Sequence, residues 1–153
     1  MNADVKAKLD SLYDTDYQRW IHQTVAQLKA QDFGKLDLEN LIEEIESLGK
    51  QDKRSLSSDL TRLCEHLLKI KHWEPERERC LKGWISEVTN FRSEIELILE
   101  DSPSLKPFLS EIFLSCYQRA RKNVLKVVEL SSDSISEEPS FTLEQTLDED
   151  WLL

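Results

Sequence analysis

Large apolar residues recur every three to four positions along most of this chain, and that period commits it to helices. Tyr17, Trp20, Ile21, Thr24, Val25 and Leu28 make one stripe. Leu38, Leu41, Ile42, Ile45 and Leu48 make a second, and Leu56, Leu60, Leu63, Leu67 and Ile70 a third. Two longer stripes run from Leu81 to Leu99 and from Leu105 to Val127. The chain has 153 residues, enough for one self-sufficient core. Its three glycines, Gly34, Gly49 and Gly83, are too few for a phosphate-cradling loop or a dinucleotide fingerprint. The expected fold is all-α, a single bundle of four or five main helices with a short capped C-terminal segment. Residues 1–12 read as an extension, 13–130 as the bundle, and 131–153 as an acidic linker and docking segment.

The punctuation between stripes sets the expected boundaries. Thr15 and Gln18 fit a capping box for a helix running to Gln31. Asp37 is an expected N-cap, and Gly49 an expected stop before a separate helix from Lys50 to Lys71. His72 to Glu76 reads as a connector broken by Pro75. Gly83, inside the helix that follows, suggests close packing there. Ser104 is a plausible cap, with Pro107 tolerated in the first turn. Ser131 to Ser136 has a linker's composition, and Thr142 with Gln145 forms another capping box.

Charge narrows the partners. Thirty acidic residues against 20 basic give −10, and residues 131–153 hold seven acids and no base. The rest of the chain is nearly balanced, which argues against a general nucleic-acid binder. Cys64, Cys80 and Cys116 include no C-x-x-C pair, so neither a disulfide framework nor a zinc knuckle is expected, and reduced thiols point to the cytoplasm. No apolar run approaches the length of a membrane helix, and no cofactor is implied.

The pattern resembles the DUF29 family, an uncharacterised bacterial group common in cyanobacteria. The resemblance rests on Tyr13-Asp14-x-Asp16-Tyr17-x-x-Trp20 and on Leu36-Asp37-x-Glu39-Asn40-Leu41-x-Glu43-Glu44-Ile45-Glu46-x-Leu48-Gly49. It continues through His66-Leu67-Leu68-Lys69, Trp84, Arg92, Asp101 to Leu105, Tyr117-x-x-Ala120 and Thr142-Leu143-Glu144-Gln145. It covers about residues 12–152. It implies an all-helical fold and no particular activity. Trp73 to Cys80 departs from the pattern in being more acidic than the family's basic-rich connector.

Few residues offer chemistry. Glu39, Glu43 and Glu46 fall on one helical face, a spacing that serves a metal, a shared proton or simply a charged surface. No Glu-x-x-His occurs to complete a di-iron bundle. His66 sits at the edge of an apolar stripe, and Arg92 lies beside Phe91 and Ile95, with Glu43 or Glu46 as its expected ion-pair partner. These five residues form the candidate polar cluster. Phe141, Leu143, Leu147 and Trp151 form a candidate docking segment, folded onto the body beside Arg119, Arg121 and Lys122 or ordered by a partner. The sequence therefore points to a non-enzymatic cytoplasmic interaction or regulatory protein with an unidentified protein partner, for instance a regulator that masks a basic surface. The alternative is a small enzyme or metal-binding bundle built on the Glu/His cluster.

Overall fold

A computed structural model describes residues 11–153, and among them every regular element is helical. Most of the extension expected over residues 1–12 lies outside the described residues. The helices are α1 (Leu12–Thr15), α2 (Tyr17–Lys29), α3 (Leu38–His72), α4 (Glu74–Asp101), α5 (Lys106–Val128) and α6 (Leu143–Leu147). Short 3-10 turns occupy Phe33–Lys35, Pro103–Leu105 and Ser132–Ser134. No helix among the described residues is long and apolar enough to cross a membrane. The described residues fall into two compact units, divided between Gly49 and Lys50.

In the first unit Asp16, not Thr15, caps α2, its side chain accepting from the Arg19 N–H at 3.1 Å. Thr15 instead closes α1, with its hydroxyl on the Ser11 carbonyl. The unit buries only Trp20 and Thr24 among its described residues. Of the residues on the first two apolar stripes, Tyr17 and Ile45 are exposed, and Ile21 and Leu41 are half-buried.

The second unit holds a continuous core. Leu56, Leu60, Leu63, Leu67 and Leu68 of α3 meet Trp84, Val88 and Ile95 of α4 and Leu109, Tyr117, Ala120 and Val124 of α5. Ile112 and Phe113 pack against this core from a half-buried position. Trp73 closes one end of the core, stacked on Trp84 with ring centroids 5.7 Å apart.

Three expected boundaries are corrected. Gly49 does not end a helix: α3 runs unbroken from Leu38 to His72. A glycine inside a helix costs about 1 kcal/mol against alanine, and good helix formers on both sides outweigh that. Pro75 does not break a connector but sits in the first turn of α4, where its missing N–H is harmless, so Trp73 alone separates the two helices. Arg77 then reaches back and donates to the carbonyls of Ile70 and Lys71, both at 2.7 Å, satisfying the end of α3. Gly83 faces open space, with no atom within 4 Å of a Cβ placed there, so close packing does not explain it. Ser104 lies within the Pro103–Leu105 turn rather than capping α5, while Pro107 takes its expected first-turn place.

Candidate functional site

The acidic run from Asp37 to Glu46 sorts into two roles. Glu44 accepts hydrogen bonds from the Tyr13 and Tyr17 hydroxyls, each at 2.6 Å. Asp37 accepts from Trp20 Nε1 at 3.2 Å and from Asn40 Nδ2 at 2.7 Å. The Tyr13, Tyr17 and Trp20 rings lie against one another with centroids 4.9 to 5.9 Å apart. The two donated bonds hold the Glu44 carboxyl below its ordinary range. The same bond, with burial and the Glu44 charge, pushes the Tyr13 phenol up to about 12. This belt ties α1 and α2 to α3 through residues spaced 17 to 31 apart, which is why sequence periodicity does not reveal it.

Glu39, Glu43 and Glu46 stand exposed instead. Between and beside them lie Leu38, Ile42, Ile45 and Leu48, which expose 58%, 49%, 61% and 60% of their surface. The result is an apolar strip edged with carboxylates on the first half of α3.

His66 belongs to the second unit. Its ring stacks on Phe91 at 5.9 Å, and its Nδ1 is buried with no hydrogen-bond partner. Burial, reinforced by the Lys69 charge, lowers its pKa, so the ring is neutral near pH 7. Among the described residues no three His, Cys, Asp or Glu side chains come together as metal ligands.

Arg92 makes no ion pair with Glu43 or Glu46, or with any carboxylate among the described residues. It is buried, and its Nε donates to the Thr146 carbonyl at 2.9 Å while Nη2 donates to the Trp151 carbonyl at 2.8 Å. The acceptors are main-chain oxygens because the C-terminal segment folds back over α4. Thr142 and Gln145 make the expected capping box, with reciprocal bonds of 3.0 and 3.1 Å. Phe141 is buried among Phe113, Tyr117 and Trp151, and Leu143, Leu147 and Trp151 pack on the core.

The segment before it is also fixed, against the expectation of a loose connector at Ser131 to Ser136. Ile135 is buried, Arg121 donates to the Ile135 and Ser132 carbonyls, and the Tyr117 hydroxyl donates to the Ser136 carbonyl at 2.7 Å. Arg92 and Arg121 thus meet tail carbonyls, Arg119 and Lys122 make no hydrogen bond or ion pair to the tail among the described residues, and the tail's carboxylates are exposed to water.

These positions coincide with the family pattern. The family model for a domain of unknown function, DUF29, matches residues 12–152. The chain belongs to the DUF29 family. No curated protein and no solved structure matches it. Many of the residues that carry the DUF29 pattern here are structural: Tyr13, Tyr17, Trp20, Asp37, Asn40 and Glu44 build the belt, and Arg92, Thr142 and Gln145 seat the C-terminal segment. Glu39, Glu43 and Glu46 have no such task.

Proposed function

We propose that this DUF29 chain is a non-enzymatic protein-interaction or regulatory protein of the cytoplasm, and that it meets its partner with the carboxylate-edged strip on the first half of α3. One observation carries the reading: Leu38, Ile42, Ile45 and Leu48 are each about half exposed or more on a single helix. Grouped apolar surface of this kind is characteristic of an interface. Residues 11–49 hold eight acidic and three basic residues, so the chemistry favours a basic, amphipathic partner segment over a second copy of the same surface. The C-terminal aromatic residues are occupied by the core and leave this role to α3. The metal or enzyme alternative relied on Glu39, Glu43, Glu46 and His66 converging; three stand in water and the fourth stacks on Phe91.

The test compares two baits in lysate of the source cells, the wild type and Ile42→Glu/Ile45→Glu, each with unchanged helical circular dichroism. Proteins retained by the wild type should be lost from the variant, with basic amphipathic segments among them. Identical captures from both baits would refute the reading.

A further inference from the structure

His66 sits where α3 meets α4, beside the core. Leu63, Leu67 and Ile70 of its own helix are buried, and its ring stacks on Phe91 of α4 with centroids 5.9 Å apart. Its Nδ1 is sealed from solvent and has no hydrogen-bond partner among the described residues, whereas Nε2 is not sealed in this way. A neutral imidazole carries one N–H and one bare nitrogen. With the N–H on Nε2, only a lone pair is stranded at Nδ1, which costs less than an orphaned buried N–H.

A proton removes that choice. Both nitrogens of an imidazolium donate, and Nδ1 has nothing to donate to among the described residues. Four charges act on the ring. Lys69 and Arg62 of α3 oppose a proton, while Glu87 of α4 and Glu65 of α3 favour one. Neither carboxylate bonds to Nδ1. Burial, with the Lys69 charge, outweighs them and holds the ring below its ordinary value.

We propose that His66 is a proton-operated latch between α3 and α4. Neutral, it stacks on Phe91 and lets the two helices close over it. Protonated, it carries a buried N–H and a charge that separation of the helices would hydrate, so mild acid opens the seam around residues 62–70 and 87–95. A histidine depressed in the folded chain stabilises the fold above its ordinary value of 6.5 and loses that contribution as pH falls below it. The latch lies in the second unit and does not depend on the α3 strip.

Two other groups in this unit titrate with shifted values. Burial and the Glu94 charge raise the Asp59 carboxyl, and burial with the Lys71 and Arg77 charges lowers His72. Comparison with His66→Phe cancels both, because that variant keeps the aromatic stack and removes the titrating nitrogens.

Denaturant unfolding of the full chain, from about pH 8 to about pH 5, is the test. Below about 6.5 the unfolding constant of the wild type should rise relative to that of His66→Phe by up to about tenfold per pH unit, the limit set by one proton. Amide exchange in mild acid should show residues 62–70 and 87–95 losing protection in the wild type and keeping it in the variant. Imidazole nitrogen NMR of the wild type needs no variant, and should show the Nε2–H tautomer near neutral pH and a His66 midpoint below about 6.5. A midpoint at or above that value, or the Nδ1–H tautomer, would overturn the proposal. So would parallel pH profiles for the two chains, or equal loss of protection in both.

Discussion

Residues 11–49 bury Trp20 and Thr24, whereas residues 50–153 bury one connected apolar core together with Thr61, Arg92 and Thr146. The first unit is held by polar bonds on aromatic side chains: two tyrosine hydroxyls on Glu44 and one indole N–H on Asp37. The second is held by apolar burial, with arginines spent on main-chain carbonyls. Each large side chain fully buried contributes roughly 1.5–3 kcal/mol, while a net hydrogen bond contributes about 0.5–1.5. The second unit therefore carries most of the stability. The first leaves Leu38, Ile42, Ile45 and Leu48 about half exposed or more.

Phe141→Ala should produce the largest effect, a loss of about 3–5 kcal/mol in denaturant unfolding, because it empties a site shared by Phe113, Tyr117 and Trp151. A cost below 1 kcal/mol would mean that the acidic segment is not part of the core. Arg92→Leu should follow at about 2–4 kcal/mol, since it strands the carbonyls of Thr146 and Trp151. It should also make residues 142–153 the first site of limited proteolysis.

Effects in the first unit should be smaller and should follow pH. The Glu44 carboxyl lies below its ordinary value in the folded chain, so its contribution is present above that ordinary value and is lost as pH falls through the folded one. The Tyr13 phenol is raised, so its contribution is present below pH 10 and is lost as pH rises towards about 12. Acid titration followed by tryptophan fluorescence should show Glu44→Gln and wild type converging at low pH, and equal acid sensitivity in both would refute the belt. Ile45→Ala should be the smallest, within about 0.5 kcal/mol, because its side chain is 61% exposed. A cost of 2 kcal/mol would show that the strip is covered in the isolated protein.

The helical stripes and one capping box were legible in the sequence, whereas several local boundaries and all the distant contacts were not. The Thr142–Gln145 capping box and the helical stripes depend on neighbours three or four positions away, and both were readable. Arg92 was legible as a seam residue, but its acceptors are backbone oxygens more than 50 positions away, and carbonyl groups leave no mark in a sequence. The Leu38 to Leu48 stripe identified the apolar face without saying what, if anything, covers it. Gly49 misled because a local helix penalty does not register the long runs of helix formers on either side.

Amide hydrogen exchange on the isolated protein tests the contrast between the two units most directly. Slowest exchange is expected in α3 beyond Leu56, in α4 and in α5, with the Thr146 and Trp151 region protected alongside them, while α1, α2 and residues 38–48 open by a cheaper local route. Unprotected amides throughout residues 141–152, or equal protection in α2 and α5, would contradict the account.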